Sequence, residues 1–213
     1  MNYKAVLFDL DGVLIDSEPL HIAAFQASLK QYGYDLNKEG YDRYFAGKTD
    51  EFGFGQYFSN VGTPPDAAEI MAEKADIYLQ LSKDRLVSYP EAVELVRELS
   101  LRATLLALVT GSLRNEAELT LETLGISSLF SAIVTAEDLA QSKPSPEGYL
   151  KAATLLDVEP ADCIVIEDSP SGVRAAQAAG MRCLAVSTTH TAQALDGATK
   201  IVDRLHIQNL DLL

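Results

Sequence analysis

The sequence has few cysteines, few positive charges and no long hydrophobic run. Its 213 residues include only two cysteines, Cys163 and Cys183, which are too few for a disulfide framework and suit a reducing compartment. No apolar run reaches the roughly 20 residues that cross a bilayer. The first apolar segment ends in Asp9 and Asp11, whereas a secretory signal peptide has no carboxylates there. We therefore expect a cytoplasmic protein whose two cysteines fill space in the core.

Positive charge is scarce, because 17 lysines and arginines stand against 31 aspartates and glutamates, a formal net charge of −14. Nucleic acid needs a basic face, so we expect no nucleic-acid partner, and no membrane partner either. A small phosphorylated substrate is not excluded, since a metal ion held by acidic residues reverses the local sign of charge. No long exposed apolar segment indicates an interface, so we expect a monomer.

Six short apolar runs predict the strands of a parallel sheet. The runs are continuous rather than alternating, which is typical of strands that are buried on both faces. Helical patterns lie between them, and this alternation predicts βαβ units. The expected fold class is therefore α/β, with a Rossmann-like parallel sheet. The runs are Ala5–Phe8, Leu105–Val109, Ala132–Val134, Ile164–Ile166, Cys183–Val186 and Ile201–Val202.

Glycine, serine and proline mark the expected helix ends. Gly125 and Gly180 each follow a helical pattern, at the position where a left-handed C-cap favours glycine. Ser145-Pro146 and Ser169-Pro170 each place a capping hydroxyl before a proline at the first helical position. We therefore expect one helix to begin at each of these two prolines.

A stretch without strand patterns interrupts this alternation after the first strand. Between Ser17 and Ser88, apolar residues recur at helical spacings, as in the segment from Ile22 to Tyr32. About 70 residues are too many for a loop inside a compact domain. We therefore expect an α/β core domain over 1–16 and 89–213 and an inserted helical cap domain over 17–88.

Two carboxylates, Asp9 and Asp11, follow the first predicted strand directly. In open α/β sheets, ligands bind at the carboxyl ends of the strands. Two acids placed there repel each other and lose solvation, so they need a cation or a shared proton. The alternative is an ordinary turn of Asp and Gly after a strand.

Three further segments with polar residues lie near the same predicted sheet edge. Thr110-Gly111-Ser112 follows the second strand and offers a hydroxyl and backbone N–H groups to an anion, although it is also a common turn. Glu167 and Asp168 form a second acidic pair, which could equally be acids that favour a helix start. Lys143 lies between a strand and a helix, where a solvated surface lysine is the alternative.

Taken together, these residues predict phosphoryl transfer. Carboxylate oxygens suit Mg²⁺, which binds through a few carboxylates together with substrate phosphate. One aspartate can attack phosphorus and form an aspartyl-phosphate. A second acid two residues away can protonate the leaving oxygen and then activate water. Ser112, Lys143 and the metal ion would neutralise the phosphoryl oxygens in the transition state.

In this combination the sequence resembles the haloacid dehalogenase-like (HAD) phosphatases, in particular the subgroup with β-phosphoglucomutase, phosphoglycolate phosphatase and small sugar-phosphate phosphatases. The four motifs span residues 9 to 168 in the family's order, and the insert follows the first motif. The resemblance implies a HAD fold with a helical cap that closes over the substrate. It implies that Asp9 is the nucleophile and Asp11 the general acid and base. It assigns phosphate binding to Gly111, Ser112 and the catalytic Lys143, and Mg²⁺ binding to Asp9, the Leu10 carbonyl, Asp11, Asp168 and Glu167, the last either directly or through another ligand.

The resemblance also assigns a role in specificity to cap residues His21, Lys48, Thr49 and Lys74. For His21 and Lys74, a solvated place on a helix surface is the alternative. Where the mutase carries an arginine for a distal phosphate, this sequence has Asp50, and a carboxylate cannot clamp a phosphate. Because Lys48 could compensate, the mutase remains an alternative.

Three functional hypotheses follow. The first is a Mg²⁺-dependent phosphatase that hydrolyses a small phosphorylated metabolite through an aspartyl-phosphate. The second is a mutase of the β-phosphoglucomutase type, which returns the phosphoryl group to another hydroxyl. The third is a non-catalytic binding module, because a fold alone does not establish a function.

Overall fold

The computed structural model of the chain describes residues 3–45, 50–62 and 66–210. It divides into two compact units, of which the first comprises Met1–Asp16 with Val87–Leu213 and the second Ser17–Leu86. The strands, in chain order, are β1 Ala5–Phe8, β2 Ile15–Asp16, β3 Val87–Ser88, β4 Leu105–Val109, β5 Ala132–Val134, β6 Cys163–Glu167, β7 Arg182–Val186 and β8 Lys200–Val202. The helices are α1 Glu18–Gln31, α2 Lys38–Tyr44, α3 Asp50–Val61, α4 Ala67–Arg85, α5 Pro90–Leu101, α6 Arg114–Thr123, α7 Glu147–Leu156, α8 Pro170–Ala178 and α9 Ile207–Leu210.

The first unit contains a six-stranded parallel sheet in the order β5-β4-β1-β6-β7-β8. Strand β1 lies near the centre, where Leu7 is opposite Ala107 on one side and Val165 on the other. Every residue of β1 and of β6 is buried, because helices cover both faces of a sheet of this kind. The predicted α/β class and parallel sheet are confirmed, and each of the six apolar runs lies within one strand of this sheet.

Local sequence explains where the helices of the first unit begin and end. Gly125 and Gly180 have φ of +65° and +72°, which a residue without a side chain adopts most easily. The Ser169 hydroxyl accepts a hydrogen bond from the Gly172 N–H at the start of α8, as expected of a helix cap. The expectation for α7 was wrong by one residue, because Pro146 is itself the N-cap and the helix begins at Glu147.

The second unit consists of helices α1 to α4. Its core is largely aromatic, and the ring centroids of Phe25 and Phe54 lie 5.4 Å apart. Aromatic pairs of this kind add stability beyond the area that they bury. The core is made by Phe25, Leu29, Leu36, Tyr41, Phe45, Phe54, Tyr57, Phe58 and Ile70.

Two short strands join the ends of the first unit's two segments. Strands β2 and β3 pair in antiparallel fashion, with Ile15 opposite Ser88 and Asp16 opposite Val87. The helical cap domain expected over 17–88 included Val87 and Ser88, and no strand was expected there. The pairing corrects this boundary, because it places Val87 and Ser88 in the first unit.

Both cysteines are free and buried, and burial together with nearby Asp162 raises the pKa of Cys163 to about 11. They therefore behave as apolar core residues. None of the helices in the described part of the chain is long and apolar enough to cross a membrane.

Candidate active site

The polar residues of interest follow β1, β4 and β6, three adjacent strands of the sheet. Parallel strands present their carboxyl ends at one edge, so the residues that follow them meet there. The Asp9 N–H donates to the Ile166 carbonyl at 3.0 Å, which extends the pairing of β1 and β6 as far as the first acid. This backbone contact explains why Asp9 lies beside Glu167 and Asp168.

Asp9, Glu167 and Asp168 form an acidic cluster. All three are buried, and each offers a carboxylate oxygen such that the three oxygens lie within 4.8 Å of one another. Burial raises the pKa of Asp9 well above its usual value, with Glu167 and Asp168 adding to the effect and Lys143 opposing it. Burial and the charge of Glu167 raise the pKa of Asp168 to about 7. Asp9 and Asp168 therefore resist ionisation, and a divalent cation bound to their hard carboxylate oxygens would stabilise the charged forms.

Lys143 is the positive group of this cluster. Its Nζ lies 2.9 Å from Asp9 Oδ1 and 2.8 Å from Glu167 Oε1, and it donates to the Val109 carbonyl at 3.2 Å. Burial alone lowers the pKa of Lys143, but the two carboxylates outweigh it and raise the pKa above its ordinary value. The ammonium group therefore stays charged at neutral pH.

Glu167 is fully buried and accepts hydrogen bonds at both carboxylate oxygens. Oε1 accepts from Lys143 and from the Tyr149 hydroxyl, each at 2.8 Å. Oε2 accepts from the backbone N–H of Asp168 and from the N–H and hydroxyl of Ser169. Although burial raises the pKa of Glu167, Lys143 outweighs that effect and lowers it. Because its lone pairs are already engaged, Glu167 is better suited to orienting Lys143 and the start of α8 than to binding a metal ion directly.

Asp11 lies outside the acidic cluster that the described residues form and instead contacts Ser112. The Ser112 hydroxyl donates to Asp11 Oδ2 at 2.7 Å, and the Ser112 N–H donates to the Thr110 hydroxyl at 3.0 Å. Asp11 Oδ1 is buried and has no hydrogen-bond partner among the described residues. One oxygen is therefore anchored, whereas the other is available to a group that enters the site.

The Leu10 carbonyl is not positioned as a metal ligand. Its oxygen accepts from the backbone N–H groups of Val13, Leu14 and Ile15, at 3.3, 2.8 and 3.2 Å. A carbonyl oxygen has two lone pairs, and these bonds engage both of them in the turn after β1. These bonds argue against the ligand role expected of Leu10, since sequence spacing alone does not reveal which carbonyls a turn uses.

Two glycines shape the same edge. Gly12 has φ of +75°, and a Cβ there would lie 2.0 Å from Asp168 Oδ2, so only glycine lets the first loop approach the second acidic pair. At Gly111, by contrast, a Cβ would meet no atom of the described residues within 4 Å. Space is therefore open beside the Ser112 loop, on the segment where phosphate binding was expected.

The expected specificity residues belong to the second unit. Lys74 is only 2% exposed, and its Nζ lies 2.8 Å from Asp50 Oδ2 and 4.8 Å from the centroid of Phe25. His21 stacks on Tyr78 with the ring centroids 4.3 Å apart. A solvated surface position for Lys74 is therefore ruled out. Lys48 and Thr49 lie outside the described residues.

Several residues that contact this cluster were missed in the sequence. Tyr149 is in the first turn of α7, where a buried tyrosine is typical of an ordinary core residue, and no local pattern indicates that its hydroxyl reaches Glu167. Thr188 and Thr189 follow β7, so their place after a strand was the signal that could have identified them. The Thr189 hydroxyl donates to Asp168 Oδ2, and that of Thr188 donates to the Gly12 carbonyl.

Comparison with known proteins agrees with this geometry. The family model described as haloacid dehalogenase-like hydrolase matches residues 6–186. The chain is 35% identical over 204 residues to a validoxylamine A 7'-phosphate phosphatase of Streptomyces hygroscopicus subsp. limoneus, covering 95% of this chain and 94% of the relative. It is 30% identical over 181 residues to the fructose-1-phosphate phosphatase YqaB of Escherichia coli, covering 84% of this chain and 94% of the relative.

A similar solved structure is that of CbbY from Rhodobacter sphaeroides in complex with phosphate. The two folds superpose with a TM-score of 0.85 at 27% sequence identity, over 95% of this chain and 94% of the other. The similarity thus covers nearly the whole length of both chains. The chain belongs to the haloacid dehalogenase-like hydrolase family.

Proposed function

We propose that this chain is a Mg²⁺-dependent phosphatase that hydrolyses a small phosphomonoester, such as a sugar phosphate, through an aspartyl-phosphate. The observation that carries the proposal is the Asp9 carboxylate, held 2.9 Å from the Lys143 ammonium within a buried acidic cluster. The names of the two relatives, both phosphatases of small phosphate esters, support the substrate class.

Asp9 is the nucleophile in this proposal. Its carboxylate oxygen forms a bond to phosphorus while the bond from phosphorus to the ester oxygen breaks. Lys143 binds Asp9 Oδ1, which holds the carboxylate in place and favours its ionised form. In the second half of the reaction water attacks phosphorus, the bond to Asp9 breaks, and inorganic phosphate leaves.

Asp11 is the proton carrier. The Ser112 hydroxyl holds Oδ2, whereas Oδ1 has no partner among the described residues, so one oxygen can give a proton to the departing alkoxide. The carboxylate formed in this way then takes a proton from the attacking water. The Ser112 loop and Lys143 bind the phosphoryl oxygens, where developing charge is stabilised.

Mg²⁺ would be held by Asp9 and Asp168, with Glu167 orienting Lys143 from behind. When bound, the ion supplies charge neutralisation of the phosphoryl oxygens. The helical unit is assigned the role of a cap domain that contributes specificity residues, His21 and Lys74 among them.

A mutase is the second candidate, and the Asp50–Lys74 contact argues against it. A mutase must hold a phosphate at the far end of its bisphosphate intermediate. The charge of Lys74 is already matched by Asp50 at 2.8 Å, and a carboxylate repels phosphate. Hydrolysis is therefore favoured over transfer to a second hydroxyl. A non-catalytic module is disfavoured because Asp9, Asp11, Ser112 and Lys143 form a complete set of groups for the reaction.

The test is hydrolysis of a panel of metabolite phosphates with Mg²⁺, followed as released inorganic phosphate. Asp9→Asn should abolish turnover while leaving the circular dichroism spectrum unchanged. Asp196→Asn is the matched control, because Asp196 is exposed and should tolerate the change with wild-type activity. Turnover by the Asp9 variant at the wild-type rate would remove the covalent mechanism, and no hydrolysis by the wild-type protein would favour a binding module.

A further inference from the structure

The loop after β7 reaches the acidic cluster through two threonines. The Thr188 hydroxyl donates to the Gly12 carbonyl and the Thr189 hydroxyl donates to Asp168 Oδ2. The start of the loop is held independently, since the Ser187 hydroxyl donates to Asp203 Oδ1 at 2.9 Å. Thr188 therefore ties the loop to the turn after β1, whereas Thr189 acts on a side chain of the cluster itself.

The orientation of the Thr189 hydroxyl follows from its two neighbours. A hydroxyl has one proton to donate, and here Asp168 accepts it. His190 Nδ1 lies 2.8 Å from the same oxygen, and the tautomer with the hydrogen on Nδ1 would donate to the hydroxyl. The two contacts form a chain from His190 through Thr189 to Asp168.

Packing restricts the orientation of the Asp168 carboxylate. A Cβ at Gly12 would lie 2.0 Å from Asp168 Oδ2 and 3.0 Å from Thr189 Cγ2, so backbone and threonine methyl group enclose the same oxygen. Asp168 is 5% exposed, and in the described part of the chain Thr189 is the side chain that donates a hydrogen bond to it. A buried carboxylate that loses such a donor becomes free to turn.

We infer that Thr189 is a positioning residue, whose hydroxyl holds the Asp168 carboxylate in the orientation that binds a divalent cation together with Asp9. This inference rests on the proposed function for the identity of the metal site. Partners of this kind orient the groups that bind a metal, and their loss typically weakens metal affinity by about tenfold or more. Neither the strand pattern nor the four motifs of the family assigns such a role to Thr189.

The experiment measures metal binding without catalysis. The full-length protein is titrated with Mn²⁺ alone, and free Mn²⁺ is followed by electron paramagnetic resonance. Thr189→Val keeps the branched shape and removes the hydroxyl, and we expect its Kd for Mn²⁺ to rise about tenfold. Thr189→Ser restores the donor and should bind within about twofold of the wild type. Thr191→Val is the matched control, because Thr191 is exposed and its hydroxyl accepts from the Ala194 N–H instead.

The outcomes separate a positioning role from a structural one and from the proposed function. Equal Kd values for the wild type and Thr189→Val overturn the inference, as does a Thr189→Ser protein that binds as weakly as the valine variant. Circular dichroism melts show whether the valine variant is folded. If the valine variant is unfolded, the serine variant, which keeps the hydroxyl and lacks only the methyl group, still tests whether the hydroxyl is sufficient for Mn²⁺ binding. Weak Mn²⁺ binding by Thr189→Val beside a wild type that hydrolyses no ester would refute the phosphatase and leave the positioning role intact. Ester hydrolysis by the wild type, together with an unchanged Kd for Mn²⁺ in Thr189→Val, would support the phosphatase and refute the positioning role.

Discussion

At Gly172, a single added methyl group should displace a side chain of the candidate active site. It lies in the first turn of α8, and a Cβ there would lie 1.6 Å from Glu167 Oε1 and 1.8 Å from its carboxyl carbon. Helix propensity alone favours alanine over glycine by up to about 1 kcal/mol. The clash with Glu167 lowers the free energy of unfolding, whereas helix propensity raises it. A net loss of stability in Gly172→Ala would therefore show that the Glu167 carboxylate is held as described.

The size of the expected loss of stability follows from the hydrogen bonds and the ion pair that Glu167 would lose. Its carboxylate is fully buried and accepts five hydrogen bonds, two of them at the oxygen that the methyl group displaces. Breaking a buried ion pair costs about 3–5 kcal/mol, so the net loss after the gain in propensity is about 2–4 kcal/mol. For a chain of this size, 1 kcal/mol corresponds to about 2–4 °C in Tm, which gives a decrease of roughly 5–15 °C.

Thermal unfolding followed by circular dichroism measures this change. Gly55→Ala is the control, because Gly55 is also helical and a Cβ there meets no atom within 4 Å in the part of the chain that the structure describes, so the stability of this variant should stay the same or rise. Glu167→Asp shortens the acid by one methylene group, and the double variant with Gly172→Ala should lose less than the two single losses combined. A Gly172→Ala protein as stable as the wild type, or strict additivity in the double variant, would refute the reasoning.

Three other measurements test the remaining features. EDTA should abolish ester hydrolysis and added Mg²⁺ should restore it, and full activity in the chelator would exclude a metal-dependent site. With β-glucose 1-phosphate, inorganic phosphate should appear without accumulation of glucose 6-phosphate, since Asp50 neutralises Lys74; rapid formation of the isomer without phosphate release would favour the mutase. Asp138 has a lowered pKa, chiefly because the Thr135 N–H donates to its carboxylate, so its contribution is present above pH 4 and is lost as the pH falls through the folded-state pKa. Asp138→Asn should therefore cost about 1 kcal/mol at pH 7, and this difference in the free energy of unfolding should shrink as the pH falls below about 4; a difference that stays the same from neutral pH into acid would contradict the assignment.

The acidic cluster could be predicted because its geometry follows from strand order. Once the apolar runs are identified as parallel strands, acids that follow β1 and β6 must meet at one edge, and Asp9 and Asp168 do so. The lysine could be expected near them because the segment between β5 and α7 starts at the same edge. Lys143 lies within 3 Å of an oxygen of Asp9 and of Glu167.

Other features could not be predicted from the sequence patterns. Strands β2 and β3 have two residues each, which is too short for any periodicity, and they are specified by pairing across the insert. The Leu10 carbonyl is taken up by a turn whose hydrogen bonds depend on the backbone angles of Gly12. Tyr149 reaches Glu167 from the first turn of α7, and only tertiary packing distinguishes its hydroxyl from that of any buried tyrosine.

The central position of β1 has a consequence for synthesis of the chain on the ribosome. Ala5 pairs with Leu105 on one side and with Cys163 on the other. Strand β1 can therefore pair only after β4 and β6, which lie much later in the chain, have been synthesised. Until β6 emerges, β1 has an unpaired edge of apolar residues, and edges of this kind invite association with other chains. Long-range pairing of this type also slows folding. Asp9 is therefore made well before Lys143, Glu167 and Asp168, which can join it only after the chain that contains them has been synthesised.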